Sequence, residues 1–277
     1  MNRSFEGKTV VITGASAGVG AACARAFAAH KAKLVLVARG RTGLNNIAKE
    51  LRGNGCEVLT VAMDVASTEE CLKLLKKAEA KFGQVHVVIN NAGMHSRGNL
   101  ETVSPADVAA MVDINLRAPM VLSCAAIPFL RRAGSGAIVM VGSLAGRAPL
   151  QGAATYSGTK AGLRAFAYAL ADEVKDAKIN VGVVSPGPID TGFIMDEIDQ
   201  VEDIVFSQPM SSAEQVADAV IEIAEGREIE ISMPTFGGRM TMLSYLFPGL
   251  RRRLRPKLYE QGRKNKEKYR NRALAAK

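Results

Sequence analysis

The chain has 277 residues, 48% of them hydrophobic, which suffices to bury the core of one large α/β domain. Its four cysteines, Cys23, Cys56, Cys71 and Cys124, form no CxxC pair and no ligand spacing with the three histidines, so neither a metal centre nor a disulfide framework is expected. The net charge of +9 is confined to the end of the chain, because residues 251–277 hold twelve Lys or Arg against two Glu.

The cysteines and the first residues favour a cytoplasmic protein. Reduced, buried thiols are the expected state of the four cysteines. The polar stretch from Met1 to Lys8 leads directly into a predicted strand, so no secretory signal is expected. No apolar run in the sequence reaches the roughly 18 residues of a membrane-spanning helix.

Short β-rich runs alternate with helical patterns along the chain. The strand candidates are runs of Val, Ile and Leu without polar alternation, as expected where helices cover both faces of a sheet. This order predicts an α/β fold with a doubly wound parallel sheet in a single domain, residues 1–238, followed by a helical, basic extension, residues 239–277. The predicted strands are Thr9–Thr13, Lys33–Ala38, Val58–Met63, Val85–Asn90, Ala137–Ser143, Ile179–Ser185 and Glu228–Met233, and the predicted helices cover about 18–31, 43–53, 68–82, 105–132 and 152–176.

The first predicted strand leads into a glycine-rich turn that reads Thr13-Gly14-Ala15-Ser16-Ala17-Gly18-Val19-Gly20. Glycines here let the backbone turn tightly and approach a pyrophosphate, and the following helix offers free N–H groups to the phosphates. The spacing differs from GxGxxG, so the pattern alone also fits a glycine-rich turn without a ligand.

Two arginines, Arg39 and Arg41, follow the second predicted strand. A carboxylate at this position would hold the ribose hydroxyls of NAD, and the chain has none there. Guanidinium groups suit the 2′-phosphate of NADP instead. We therefore predict that NADP(H) is preferred over NAD(H), mainly because of Arg39, whereas Arg41 fits a solvated surface residue better.

A serine, a tyrosine and a lysine are spaced for acid–base chemistry. Tyr156 and Lys160 stand four residues apart, so both lie on one face if residues 152–176 are helical. A phenol has a pKa of roughly 10, and an ammonium one turn away is expected to lower that pKa towards the working range. Ser143 ends an apolar run, where its hydroxyl could hold a carbonyl oxygen. These groups predict proton transfer on or off an alcohol or ketone oxygen.

Further motifs occur in a fixed order. They are TGxxxGxG at Thr13–Gly20, an aspartate after the third strand at Asp64-Val65, NNAG at Asn90–Gly93, Asn115 in the long helix, Ser143, YxxxK at Tyr156 and Lys160, and PGxxxT at Pro186–Thr191. In this combination the chain resembles a short-chain dehydrogenase/reductase over about residues 5–190. Among the five tyrosines, only Tyr156 has a lysine four residues on.

The resemblance implies a Rossmann-like, NAD(P)-dependent oxidoreductase that interconverts a carbonyl and a secondary alcohol. It implies that Tyr156 is the general acid/base and that Lys160 lowers its pKa and binds the nicotinamide ribose. Ser143 would orient the substrate oxygen, and Asn115 would maintain a water relay to Lys160. One departure is Ala17, where many NADP-preferring relatives have a basic residue. The implied cofactor-binding residues are Thr13, Gly14, Ser16, Gly18, Val19, Gly20, Arg39, Asp64, Val65, Asn91, Ala92, Gly93, Tyr156, Lys160, Pro186, Gly187, Ile189 and Thr191.

The segment from Thr191 to about Met210 interleaves apolar and acidic residues. This pattern fits an amphipathic lid over an apolar pocket, and it fits equally well a helix that simply packs on the domain. Met94, Leu144 and Leu150 would add apolar lining, which leads to the hypothesis of a lipophilic carbonyl or secondary alcohol as substrate. His95 could face that substrate or be a loop histidine without a catalytic role.

The C-terminal extension combines apolar positions with many cations. Pro248 and Pro256 are expected to break it into short helical pieces. An apolar face beside cations suits the surface of an anionic membrane, and the alternative is that the leucines pack on this domain or on a partner subunit. The apolar positions are Met240, Leu243, Leu246, Phe247, Leu250, Leu254 and Leu258.

Two other function classes fit the sequence less well. A catalytically idle dinucleotide-binding scaffold or sensor would need no serine, tyrosine and lysine set, which argues against that alternative. Nucleic-acid binding is disfavoured because only Tyr259 and Tyr269 interleave the charges of the extension. The resemblance also implies a small-molecule substrate and a homo-oligomer assembled through the fifth and sixth helices.

Overall fold

Parallel strands form one sheet in the structure, a computed structural model that describes residues 5–235, 238, 241 and 245–275. Within these residues the strands are β1 Thr9–Thr13, β2 Lys33–Ala38, β3 Val58–Ala62, β4 Val87–Asn90, β5 Gly136–Val141, β6 Ile179–Pro186 and β7 Glu230–Met233. Their spatial order is β3-β2-β1-β4-β5-β6-β7, and every pair is parallel. The predicted doubly wound sheet is thereby confirmed.

Helices cover both faces of the sheet, because alternate strand side chains feed two separate apolar cores. Ile12 belongs to the core on one face of the sheet, whereas its neighbour Val11 belongs to the core on the other face. The helices are α1 Gly18–Ala29, α2 Arg41–Gly53, α3 Thr68–Phe82, α4 Pro105–Val112, α5 Ala118–Arg132, α6 Ala154–Glu173, α7 Gly192–Met195, α8 Ala213–Ala224 and α9 Pro248–Ala275.

The long helical stretch Pro105–Arg132 contains an irregular turn. Residues Asp113–Arg117, between α4 and α5, form a turn of π-helix, a feature frequent at functional sites. Within the described residues this stretch is the one that is long and apolar enough, by length and composition, to span a bilayer. Here Leu122 and Leu130 of α5 are buried against the sheet, as in a core helix.

The C-terminal helix corrects one prediction. Helix α9 runs through Pro256 without a break, so the two prolines do not divide the extension into pieces. Pro248 begins the helix, where its missing N–H has no intrahelical partner to lose. Contacts of α9 with the rest of the chain, described below, hold it in spite of Pro256. Met240 and Leu243 of the predicted apolar pattern lie outside the described residues.

The structure also corrects predictions about helix α8, the segment after Thr191 and the cysteines. Helix α8 was not anticipated, although Ser212 and Gln215 form a capping box that is visible in the sequence as S-x-x-Q. The segment after Thr191 is not one helix but α7 followed by two short 3-10 turns. Buried thiols were expected throughout, yet Cys124 is exposed and Cys56 is half-buried.

The carboxylate of Glu230, in the edge strand β7, ties several elements together. Its side chain is 5% exposed, and it pairs with Arg147 and Arg164, each at 2.7 Å. The hydroxyls of Tyr168 and Ser185 also donate to it, each at 2.8 Å. Burial raises the pKa of Glu230, but the hydrogen bonds from these four donors outweigh burial and lower the pKa to about 2.

We predict that Glu230→Gln lowers the free energy of unfolding at neutral pH by about 3 kcal/mol, because it leaves two arginines without their counter-ion. In the wild type this stabilisation is complete above the ordinary glutamate pKa of roughly 4.3, and it is lost as the pH falls towards 2. Urea unfolding at both ends of this range measures the effect. Glu50→Gln, which breaks an exposed pair with Arg25, is the control. Equal effects of the two substitutions would contradict the prediction.

Candidate active site

A cavity of about 1280 Å³ opens at the carboxyl edge of the sheet, where ligands bind in doubly wound folds. Residues that follow each of the seven strands line it, together with the start of α6, the segment after Thr191 and part of α9. The predicted site residues that line it are Gly14, Ser16, Gly18, Val19, Arg39, Asp64, Val65, Asn91, Ala92, Gly93, Ser143, Tyr156, Lys160, Pro186, Gly187, Ile189 and Thr191. Thr13, Gly20 and Asn115 lie behind this lining and are buried.

The glycine-rich turn has the shape that a phosphate group requires. Gly14 and Gly18 have φ values of +67° and +53°, which favour glycine, and a Cβ on Gly20 would lie 2.1 Å from the carbonyl oxygen of Gly14. Helix α1 begins at Gly18 and follows Ala17, whose side chain has no acceptor for the first N–H groups. The helix N-terminus therefore presents its amides to an anion, and the chain fits a dinucleotide pyrophosphate here.

Hydrogen bonds connect this turn to the loop after β4. The Thr13 hydroxyl accepts from the backbone N–H groups of Asn91 and Ala92, each at 3.0 Å. The Asn91 side-chain amide donates to the carbonyl oxygens of Thr13, at 2.8 Å, and of Gly14, at 3.2 Å. These bonds join the ends of β1 and β4, where the strand order reverses. Thr13 therefore holds the glycine-rich turn against the loop after β4 without lining the cavity itself.

The serine, tyrosine and lysine come together as the spacing predicted. Ser143 follows β5, and Tyr156 and Lys160 lie on one face of α6. The Tyr156 hydroxyl is hydrogen-bonded to Ser143. The Lys160 ammonium is buried, donates to the carbonyl oxygen of Val141 at 2.8 Å, and lies 5.7 Å from the centre of the Tyr156 ring.

The pKa of Tyr156 corrects another expectation. Burial raises it, and the hydrogen bond with Ser143 and the charge of Arg97 oppose burial without outweighing it. The predicted lowering by Lys160 is therefore not found. Burial also lowers the pKa of Lys160, to about 8, because a desolvated ammonium is costly. In this arrangement both groups favour their neutral forms more than they would in water.

Asn115 supports the site from the π-helical turn. Its side-chain carbonyl accepts from the N–H of Met94 and its amide donates to the carbonyl of Met94, both at 2.8 Å. A Cβ on Gly93 would lie 3.3 Å from the Asn115 side-chain oxygen and 3.7 Å from the Lys160 Nζ. The loop after β4 therefore lies close against both residues.

His95 lies at the site, stacked on Tyr156 with ring centres 4.3 Å apart. Arg97 Nη1 lies 2.9 Å from His95 Nδ1, so Arg97 donates and the His95 proton is assigned to Nε2. His95 Nε2 is buried and has no hydrogen-bond partner among the described residues. Burial is the main cause that lowers the pKa of His95 to about 3, and the charges of Arg97 and Lys160 lower it further. Arg97 was missed at the sequence level because its partners, Glu197 and the carbonyl of Phe193, are about a hundred residues away.

The remaining lining divides between polar and apolar residues. Arg39 is exposed at the rim, whereas Arg41 lies outside the cavity lining at the start of α2. Asp64 accepts from the N–H of Ala66 at 2.9 Å. The opposite end of the cavity is lined by apolar side chains that include the predicted Met94, Leu144 and Leu150, with Phe193, Ile194, Ile204, Val205, Leu254 and Leu258.

Comparison with known proteins agrees with this arrangement. The family model for short chain dehydrogenases matches residues 8–202. The chain belongs to the short-chain dehydrogenase/reductase family. This membership confirms the predicted NAD(P)-dependent oxidoreductase acting on a carbonyl or alcohol, with a nicotinamide dinucleotide as its cofactor.

Several members of the short-chain dehydrogenase/reductase family are similar over most of their length. The ketoacyl reductase HetN of a Nostoc species is 32% identical over 229 residues, 82% of this chain and 79% of HetN. The 3-oxoacyl-[acyl-carrier-protein] reductase FabG of Salmonella typhimurium is 34% identical over 225 residues, 80% of this chain and 91% of FabG. A crystal structure of a metagenomic short-chain oxidoreductase in complex with NADP has a TM-score of 0.71 at 28% identity, covering 83% of this chain and 98% of that one.

Proposed function

We propose that the protein is an NADP(H)-dependent reductase or dehydrogenase of a lipophilic carbonyl or secondary alcohol, with Tyr156 as its general acid/base. The observation that carries this proposal is that Ser143, Tyr156 and Lys160 line one cavity together with the glycine-rich turn and a set of apolar side chains. A bound dinucleotide supplies the hydride chemistry, and the chain supplies position and proton transfer.

The residues divide the proton chemistry as follows. The hydroxyls of Ser143 and Tyr156 both line the cavity, so a substrate oxygen that replaces the hydrogen bond between them can accept from both. Tyr156 is the group that gives or takes the proton at that oxygen. The buried Lys160, one turn along α6, is the group proposed to bind the nicotinamide ribose beside Tyr156.

We predict that Tyr156→Phe lowers kcat at least about a hundredfold, because the ring is kept while the transferable proton is lost. Dinucleotide affinity, measured by calorimetry, should stay within about threefold of the wild-type value, since Tyr156 is one of many cofactor-lining residues. Turnover close to that of the wild type would contradict the role of Tyr156.

The proposed preference for NADP(H) is supported by Arg39. It is exposed at the cavity rim after β2, the position from which a side chain reaches the adenosine ribose. A guanidinium there suits a 2′-phosphate, and the chain has no carboxylate at that turn. Ala17, which is neutral, adds nothing to this preference.

We predict that Arg39→Asp raises KM for NADPH and shifts the preference towards NADH, because it replaces a phosphate partner with an acceptor for ribose hydroxyls. The ratio of kcat/KM values for the two cofactors measures the shift. Arg41→Asp, outside the cavity lining, is the matched control and should change the ratio little. A wild type that already prefers NADH would refute the proposal.

Homo-oligomer formation is also proposed, on the evidence of α6. Its exposed face carries small residues, which let a second helix approach closely. Light scattering on the wild type and on Ala165→Glu tests this, with a lower mass expected for the variant. The exposed small residues are Ala154, Gly158, Ala161, Ala165 and Ala169.

We further propose that the first part of α9 and the residues before it dock on an anionic membrane surface. Tyr245, Leu246 and Phe247 are 64%, 66% and 55% exposed. Exposed Leu250 follows them, and exposed cations stand beside this patch: Arg252, Arg253 and Lys257. Each cation near such a surface contributes on the order of 1 kcal/mol, which adds to apolar insertion.

The membrane proposal predicts that full-length protein pellets with phosphatidylserine vesicles at low salt and that the double variant Leu246→Glu, Phe247→Glu does not. A matched control is Leu72→Glu, at an exposed leucine on α3. Equal pelleting of all three proteins, or of none, would refute the membrane proposal.

A further inference from the structure

We propose that helix α9 is the outer wall of the substrate end of the cavity and selects carbonyl compounds by the length of their apolar chain. The inference rests on the proposed oxidoreductase function and adds to it a specificity element that lies beyond residues 8–202, the part matched by the family model. Leu254 and Leu258, one turn apart on α9, line the same cavity as Tyr156.

The contacts of α9 place it at the substrate end rather than at the cofactor end. Arg255 donates to the side chain of Gln151, in the loop just before α6 and Tyr156. The Tyr259 hydroxyl donates to Glu202 at 3.2 Å, and a Cβ on Gly152 would lie 3.1 Å from the same carboxylate. Helix α9 therefore contacts both the loop before α6 and the segment after Thr191.

Ion pairs hold the second half of α9 against an acidic segment. Residues 190–203 contain six Asp or Glu and no Lys or Arg. Asp203 pairs with Lys266 at 3.3 Å and with Arg263 at 3.4 Å. Arg270 pairs with Asp199, and Arg272 pairs with Asp190. Four cations of the extension thus pair with acidic residues of the same chain.

Hydrogen bonds to backbone carbonyls and apolar packing also hold α9 against this segment. Lys266 donates to the carbonyl of Val201 at 2.6 Å, and Asn265 donates to the carbonyl of Phe206 at 3.0 Å. Tyr269 packs on a small apolar cluster formed by Ile194, Ile198, Val201 and Phe206. This cluster is separate from the two cores of the sheet, so the segment after Thr191 and α9 form one packed unit over the cavity.

Gly262 makes the closest approach between the two parts. It is buried, and a Cβ at this position would lie 1.9 Å from the carbonyl oxygen of Asp203. Because that atom is backbone, even alanine would force α9 away from the segment. Gly249, on the same helix, has no atom within 4 Å of such a Cβ, which makes it a matched control among the described residues.

A substrate that extends from Tyr156 towards α9 would meet Leu254 and Leu258 with its far end. A short carbonyl compound would not reach them. The chain-length dependence of kcat/KM therefore reports on this wall, whereas catalysis of a short substrate reports only on Ser143, Tyr156 and Lys160.

The test uses purified full-length protein, NADPH and a homologous series of straight-chain methyl ketones. For Gly262→Ala and for Leu258→Asp, we expect kcat/KM for the longest good substrate to fall about tenfold or more, while the shortest stays within about twofold. Gly249→Ala and Leu72→Asp should leave the whole series unchanged. Leu258→Asp changes a partly exposed side chain, so it tests the wall even if Gly262→Ala folds poorly.

Two results would overturn the inference while leaving the proposed function intact. One is an unchanged chain-length dependence in both variants, and the other is an equal loss for short and long ketones. A wild type that reduces no ketone of any length, with NADPH bound, would instead refute the proposed function and the inference with it.

Discussion

The hydrogen bonds between Thr13 and the loop after β4 are the interaction on which the rest of the site depends. Thr13 accepts from Asn91 and Ala92, and the Asn91 side chain returns two bonds to the glycine-rich turn. They join the ends of β1 and β4 at the point where the strand order reverses, so the glycine-rich turn and the loop after β4 are held together. Asn115 then holds the next residue of that loop, Met94, from behind.

Burial of charged groups determines which of them stay ionised at and near the site. Lys160 is buried with one carbonyl partner, and its lowered pKa shows how much the site disfavours an uncompensated charge. Glu230 shows the opposite outcome, because four donors surround it and keep it ionised. A carboxylate that accepts from several donors keeps its charge, whereas burial of an ammonium with one carbonyl partner favours its neutral form.

The strands and the closeness of Ser143, Tyr156 and Lys160 were predictable because their signals are local or carried by the family resemblance. Runs of Val, Ile and Leu marked the sheet, and the four-residue step from Tyr156 to Lys160 placed both on one helix face. The position of α9 against the rest of the chain was not predictable, because it depends on ion pairs such as Asp203 with Lys266, whose residues are far apart in the sequence. Pro256 suggested a break because local propensity cannot register such tertiary contacts. The π-helical turn at Asn115 likewise leaves no sequence pattern.

In the proposed reaction, one carbonyl group in this cavity receives hydride from the dinucleotide and a proton from Tyr156 at its oxygen. The most direct measurement supplies NADPH deuterated at the transferable position of its nicotinamide and analyses the product of a long-chain methyl ketone by mass spectrometry. The account predicts a secondary alcohol that carries one deuterium at the former carbonyl carbon. An unlabelled alcohol, or none although the cofactor binds, would contradict it and favour a catalytically idle dinucleotide-binding protein.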